Sequence, residues 1–329
     1  MNTEELIKNA IPATQGYYIY SNPDDEKWRY NPLRLKNREL VERLFAIGKH
    51  TDYPKHIIIE VTNLCNLGCD FCNREVMTRP VQSLPFEYYK KIVDEAAELS
   101  VHSISLYMLG EPFLHKEIRE FVNYAKKMGI PYVDISTNGH YDMRRILGTA
   151  LNELIISIDG NDKETYEKMR AKSNWEKVIK NCEEFLSARK EGKYEYPFVR
   201  MQIIDAMQTH HQISGFVERW IGKADVIYIK TFEEMRQSFD EEHSKKYRIK
   251  EISEETRIPC KQLFFTQNVN SNGDISLCCH DPHGKLVVGN ISQMTLKEAW
   301  ESEMANYFRK SHKNKIYPSI CGPCKDWKW

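Results

Sequence analysis

The stretch His56-Ile-Ile-Ile-Glu-Val-Thr62, followed after two residues by Cys65-Asn-Leu-Gly-Cys69-Asp-Phe-Cys72, decides how the chain is read. Its first part is short, β-branched and almost continuously apolar, the pattern of a strand buried on both faces of a parallel sheet. Its second part sets three thiols on one compact loop at that strand's C-terminal end, where folds of this kind collect ligands. Thiolates are preferred ligands of iron-sulfur clusters. A loop this short can reach three irons of a 4Fe-4S cube and leave the fourth open to another molecule. A structural zinc ion is the plainer alternative, but it normally takes four ligands, and the loop holds no fourth cysteine or histidine.

Outward from this stretch, apolar β-rich runs alternate with helical periodicity. SISLYML (103–109), YVDIST (132–137), ELIISID (153–159), PFVRMQII (197–204) and DVIYIKTF (225–232) read as five further strands. Between them, residues 85–99 carry Tyr89, Val93 and Ala96 on one helical face, and residues 116–128 carry Ile118, Phe121, Val122 and Ala125 ahead of a terminating Gly129. Residues 174–189 and 208–221 read likewise. This is the pattern of βα units around a parallel sheet. After about residue 233 it gives way to a charged stretch, FDEEHSKKYRIKEISEETR (239–257), and then to a cysteine-bearing segment too short for more such units. We place a domain boundary there: 1–55 an extension without an assigned fold, 56–233 a core, 234–329 a second domain. Within the last, LFFTQNVNSNGDISLCC (263–279) predicts a hairpin about an Asn- and Gly-containing turn, and TLKEAWESEMANYFRKSHK (295–313) predicts a helix.

The bulk numbers agree with a globular protein: 329 residues, 41% hydrophobic, suffice for a large core. The 47 basic and 47 acidic side chains cancel, which speaks against nucleic acid or an anionic membrane as partner. No apolar run approaches the roughly 20 residues of a membrane span, and MNTEELIKNAIPATQGYY lacks the pattern of a signal peptide, so a soluble, cytoplasmic protein is expected. Nine cysteines, odd in number and gathered toward the two ends, point to metal or redox chemistry rather than disulfides. Cys182 stands alone in a helical pattern and reads as a small core residue.

Cys-x3-Cys-x2-Cys after the first strand resembles the radical S-adenosylmethionine (radical SAM) superfamily, and other marks of that family follow in order. The resemblance implies that Cys65, Cys69 and Cys72 hold a 4Fe-4S cluster whose open iron chelates S-adenosylmethionine, and that Phe71 touches the adenine. Gly110-Glu111-Pro112, ending the second strand, matches the motif that receives the methionyl ammonium; Leu109 departs from the glycine many members have there. Ser136 and Asn138 resemble ribose-contacting positions, and Ser157 with Arg170 the pair that holds the carboxylate. The fold implied is α/β: a partial (β/α)6, TIM-like barrel followed by a small α+β domain.

In that domain, Cys260 and Cys278 flank the predicted hairpin, and Cys321-Gly-Pro-Cys324 can supply two more thiols to a four-thiolate site. A zinc ribbon would satisfy the same four ligands. Cys-x12-Gly-x4-Cys, then Val-Val-Gly-Asn-Ile, Thr-Leu-Lys-Glu-Ala-Trp and a terminal Cys-x2-Cys looks like the SPASM or shorter Twitch extension of radical SAM enzymes, which implies one auxiliary 4Fe-4S cluster. Cys278 fits the glycine spacing better than Cys279, though the adjacent thiols are not separated by sequence.

The resemblance implies reductive cleavage of S-adenosylmethionine and hydrogen abstraction from a substrate, with electrons from a low-potential donor such as flavodoxin or ferredoxin. The expected reaction is oxidation of a small polar molecule, a sugar, aminocyclitol or other alcohol, with the auxiliary cluster as electron acceptor. The alternative is a peptide maturase or radical epimerase, for which the first 55 residues look too short to form the leader-binding domain many such enzymes carry. Asp205, Lys230, His280 and Asp281 are polar candidates for the substrate site, and Cys279 is a candidate hydrogen donor for epimerisation.

Overall fold

The computed structural model describes residues 8, 10–13, 16–22, 40, 42–47, 49–232, 245–249, 257–322 and 324. The domain boundary expected at 233/234 lies beside or within residues outside that set. Six strands follow the expected order: β3 (His56–Ile59), β4 (Ser103–Ser105), β5 (Tyr132–Thr137), β6 (Glu153–Ser157), β7 (Phe198–Asp205) and β8 (Val226–Thr231). All pair in parallel with their sequence neighbours and form the partial (β/α)6 barrel. The first two strands are shorter than expected, because the chain leaves the ladder early to build the loops that carry Cys65 and Glu111.

The sheet does not stop at the barrel. β1 (Ile11–Ala13) and β2 (Gly16–Tyr20) extend it past β8, with β2 antiparallel to β8 in the register Tyr18↔Tyr228. This pairing was not legible beforehand, because two short aromatic strands carry little periodicity. At the other edge β9 (Thr266–Val269) lies parallel to β3, and β10 (Asp274–Ser276) and β11 (Val287–Asn290) follow antiparallel, so that the eleven strands among the described residues form one sheet. The expected hairpin is therefore present, but it is joined to the barrel edge through β9. Leu263 to Phe265 belong to a helical turn rather than to the strand.

Alternation along the strands sorts the core. Ile57, Ile59, Ile104, Val133, Ile135, Leu154, Ile156, Val199, Met201, Ile203, Ile227 and Ile229 face the helix layer and are buried. Against them pack α1 (Phe86–Glu98), α2 (Ile118–Lys127), α3 (Lys163–Met169), α4 (Trp175–Glu191) and α5 (Ile213–Trp220). Each such aliphatic or aromatic side chain contributes about 1.5–3 kcal/mol when fully buried. Tyr89 of α1 stacks on Phe121 of α2 at 4.2 Å and satisfies its buried hydroxyl on the Phe121 carbonyl at 2.8 Å. Cys182 of α4 is a fully buried core residue, as expected. α3 had no counterpart in the sequence reading. Its seven residues are too few for a clear period, although Asp162 caps it by accepting from the Thr165 amide at 2.8 Å.

The opposite, inward face is polar. His56 Nδ1 meets Ser103 Oγ at 2.7 Å, Ser105 donates to Asp134 at 2.7 Å, and the Glu153 carboxylate pairs with Arg200 at 2.8 Å. Arg200 lies near the rings of Tyr18 and Tyr228, which stack at 4.6 Å, so the N-terminal strand contributes to the lumen. Past β9, the helix expected over 295–313 is two, with α6 being Gln262–Phe265: α7 (Leu296–Trp300), opened by a Thr295–Glu298 capping box, and α8 (Glu303–Lys313), capped by Ser302.

Candidate functional site

The cysteine loop after β3 is fastened at alternate residues. Leu64 accepts from the Glu111 amide at 2.8 Å, Asn66 accepts from the Asn138 side chain at 2.9 Å, and the Gly68 amide donates to the Ala171 carbonyl at 2.9 Å. Residues following β4, β5 and α3 thus hold one loop at the C-terminal ends of the parallel strands. The approach of Gly110 is what permits this: a Cβ there would lie 2.0 Å from the Thr62 carbonyl oxygen, so only glycine fits. Leu109 beside it is buried, and the strand end forms despite the departure from glycine.

Cys65, Cys69 and Cys72 are brought into one cluster with Leu67, Phe71, Met169 and Ala206. Burial pushes all three thiols up, Cys69 to about 12; Cys72 adds to the rise at Cys65, and Cys72 and Cys65 add to it at Cys69, while Arg170 opposes the shift at Cys69 and Cys72. Three desolvated thiols beside a fixed cation suit a group that binds them as thiolates and releases their protons. Among the described residues no three His, Cys, Asp or Glu side chains are drawn in tightly enough to hold one metal ion. The thiols therefore stand as neighbours, Cys69 buried and Cys65 and Cys72 half-buried, whose chemistry fits a thiolate-bound cluster.

The residues expected around S-adenosylmethionine gather at the same end. Glu111 is buried and accepts from Thr137 Oγ1 at 2.6 Å, the Asn138 amide at 2.7 Å and the Phe113 amide at 3.1 Å. Burial raises its carboxyl above the usual range, and these three bonds work against the rise. Thr137 was not singled out by the sequence; it lies between the expected Ser136 and Asn138 and supplies the side chain that holds Glu111. Ser136 lies on the inward face of β5, opposite Ile155. Ser157 accepts from Gln202 at 3.4 Å.

Arg170 is not a solvated surface residue. Its guanidinium pairs with the buried Asp159 carboxylate at 2.6 and 2.8 Å, and although burial disfavours its charge, Asp159 and Cys69 more than offset this. Asp159 also accepts from the Ile204 amide at 2.9 Å. An acid ending the apolar run ELIISID was the available signal for it.

The substrate candidates do not share one place. Asp205 continues the helix-facing series of Val199, Met201 and Ile203 and pairs with His210 Nδ1 at 2.8 Å, on the outer side of the barrel. Lys230 follows Tyr228 on the inner side of β8. Asp281 is buried and accepts from the His283 and Leu286 amides, closing its own loop. His280 and Cys279 lie at the second thiol group.

There, Cys260, Cys278 and Cys321 pack with Leu263, Phe264, Leu286 and Phe308. Burial raises the Cys278 thiol well above its ordinary range, and Cys279, Cys324 and Cys260 raise it further, which places these thiols together. Burial likewise pushes Cys321 up to about 12, with Cys324 adding to the rise. The Cys278 sulfur accepts from the His280 amide at 3.4 Å, whereas the Cys279 thiol is turned to Gln262 Oε1 at 3.4 Å. Arg257 clasps the loop by donating to the Cys321 and Gly322 carbonyls at 2.6 and 2.8 Å.

Residues 59–212 match the family profile of the radical SAM superfamily, and residues 260–325 match that of SPASM, an iron-sulfur cluster-binding domain. Among curated proteins, GTP 3',8-cyclase of Chlorobaculum tepidum is 29% identical over 155 residues, 46% of this chain and 47% of that protein. The antilisterial bacteriocin subtilosin biosynthesis protein AlbA of Bacillus subtilis is 26% identical over 187 residues, 52% of this chain and 41% of that one. The aligned region spans less than half the length of each of these relatives. Of solved structures, BtrN in complex with AdoMet and 2-DOIA superposes with a TM-score of 0.58 at 19% identity, covering 83% of this chain and 93% of that one. Streptococcus suis SuiB bound to S-adenosylmethionine gives 0.60 at 17%, covering 91% and 77%. Native anSMEcpe with AdoMet and a Cp18Cys peptide gives 0.58 at 18%, covering 83% and 86%. At these identities the structural likeness speaks for the fold. Among the described residues no helix is long and apolar enough to cross a membrane.

Proposed function

Because the chain belongs to the radical SAM superfamily and carries a SPASM iron-sulfur domain, with S-adenosylmethionine and iron-sulfur clusters as its cofactors, we propose that it oxidises a small polar substrate by hydrogen abstraction. When bound, a cluster with an open iron supplies reductive cleavage of S-adenosylmethionine to a 5'-deoxyadenosyl radical that takes hydrogen from an unactivated carbon. Cys65, Cys69 and Cys72 would hold that cluster, Glu111 the methionyl ammonium, Arg170 with Ser157 the carboxylate, Ser136 and Asn138 the ribose, and Phe71 the adenine. Cys260, Cys278, Cys321 and Cys324 would hold a second 4Fe-4S cluster. The hydrogen bond from the His280 amide to Cys278 favours Cys278 over Cys279 as ligand.

The observation that carries the proposal is the three-point fastening of the cysteine loop at Glu111, Asn138 and Ala171, which gathers the expected cofactor contacts at one end of the barrel. What favours a small polar substrate is the inward face, where Ser157 and Gln202 lie in one row with the stacked Tyr18 and Tyr228, Ser136 one inward position before that row and Lys230 one after it. Over the whole reaction an alcohol carbon gives up one hydrogen atom, its hydroxyl a proton, and one electron passes to the second cluster; an external low-potential donor of the flavodoxin or ferredoxin class starts each cleavage. A peptide substrate is the second reading, favoured by the likeness to AlbA and to SuiB, whose complex with the precursor peptide SuiA is known. Turnover of alcohols and of peptides offered in turn to the reduced, reconstituted enzyme tests the choice of substrate, and the mass of the product tests the reaction. A product two hydrogens lighter than its substrate supports oxidation, and one of unchanged mass in ordinary water that gains one mass unit in deuterium oxide overturns it in favour of epimerisation.

A further inference from the structure

Three of the four alternate contacts on the cysteine loop come from the barrel strands' own connections. The fourth does not. Tyr247, from the segment between the two matched domains, donates its hydroxyl to Asp70 at 2.7 Å. We propose that Tyr247 is a positioning residue that sets the Phe71 ring against the adenine of S-adenosylmethionine; this rests on the cofactor reading given above.

Tyr247 is buried, and its ring is fixed from both ends. The ring stacks on Phe232 at 5.1 Å, meets Phe71 edge to face at 6.0 Å and 74°, and the hydroxyl finds in Asp70 the partner a buried phenol needs. Its backbone is pinned as well, because the Tyr247 carbonyl accepts from the Met207 amide at 3.0 Å and the Lys246 carbonyl from the Gln208 side chain at 2.7 Å. Asp70 and Phe71 sit between two of the thiols, so whatever orients them orients the loop's aromatic side.

The direction of approach gives the inference its content. Glu111, after β4, meets the loop at Leu64, whereas Tyr247 comes with Ile204, Ala206 and Met207 from the end of β7 and meets it at Asp70 and Phe71. These are opposite ends of the loop. A change at Tyr247 should therefore weaken recognition of the adenosyl part of the ligand and spare the methionyl part.

The test uses the full-length, anaerobically reconstituted holoenzyme and two probes, S-adenosylmethionine and L-methionine, with binding followed through the spectrum of the reduced first cluster. Tyr247→Ala is expected to weaken S-adenosylmethionine roughly three- to tenfold, the size of losing one edge-to-face aromatic partner. L-methionine affinity, iron content and the ligand-free spectrum should not move. Tyr247→Phe, which keeps the ring, should stay within about twofold of the parent for both probes. Equal weakening of both probes, or an altered ligand-free spectrum, would show a general support of the loop and overturn the proposal; so would unchanged binding of S-adenosylmethionine. If Tyr247→Ala fails to load iron, Tyr247→Leu fills the space without the aromatic edge and is read by the same outcomes. Failure of the parent enzyme to bind either probe would instead defeat the cofactor reading itself.

Discussion

Single residues at the strand ends carry the site through bonds that neighbours prepare. Glu111 already spends its oxygens on Thr137, Asn138 and Phe113, so it is held as a rigid acceptor. Glu111→Gln is expected to weaken S-adenosylmethionine binding about tenfold or more, the weight of a charge-assisted hydrogen bond, with iron content unchanged; equilibrium binding to the reconstituted protein checks this. His140 makes a pH prediction. Its Nε2 accepts the Asn174 amide at 3.0 Å at the cap of α4, so the ring must be neutral, and burial lowers its pKa to about 4. The unfolded chain binds a proton near the ordinary histidine pKa of about 6.5 and the folded one only near 4. The stability from the neutral ring is therefore complete above about pH 6.5 and is lost as pH falls toward 4. His140→Gln should flatten this fall by roughly 1–2 kcal/mol between pH 7 and 5, measured by denaturant unfolding. Of these residues Glu111 was legible, because a glycine-glutamate-proline turn at a strand end is a local pattern. Thr137, Asp159 and Tyr247 were not, since each acts through a partner at least 11 residues away in sequence.

At the scale of elements, periodicity made the long amphipathic helices visible: α1, α2 and α4 lie within two residues of their expected ends. Short elements escaped it. α3 has seven residues, β1 has three, and the break between α7 and α8 rests on Ser302 starting a new cap rather than on any change of apolar period. The hairpin of β9 and β10 was legible from Asn272-Gly273 at its turn, where Gly273 has a positive φ of 86°. That hairpin and the terminal Cys321-Cys324 turn bring the second thiol group together. Replacing Cys321 and Cys324 with alanine should leave 5'-deoxyadenosine formation within about threefold of the parent while oxidised product falls at least tenfold, because only the electron acceptor is lost. Product ratios by mass spectrometry check this, provided a cooperative melt is retained, since loss of a metal group can unfold the domain that binds it.

For the whole molecule, the barrel order was legible because each βα unit repeats the same local pattern, whereas the joining of the two halves was not. That junction, beside the β3–β9 pairing, holds a buried ion pair. Glu60, at the end of β3, takes both terminal nitrogens of Arg79 at 2.7 and 2.8 Å and also the Ser271 amide and hydroxyl in the β9–β10 turn. Arg79→Met should destabilise the protein by about 3–5 kcal/mol by leaving that carboxylate buried without its cation, and pairing it with Glu60→Gln should restore part of the loss; denaturant midpoints of both variants decide it. The sheet order carries a further consequence. β3, which bears the cysteine loop, borders β4 on one side and β9 on the other, and β8 borders β2. A chain emerging from the ribosome can align β3 to β8 as it goes, but the free edge of β3 waits until residues 266–269 have been made. Until then an apolar strand edge lies open beside three thiols, the arrangement most exposed to mispairing and oxidation. Iron delivery is best timed after the last strands have closed that edge, and translation stalled shortly before residue 266 should yield aggregate.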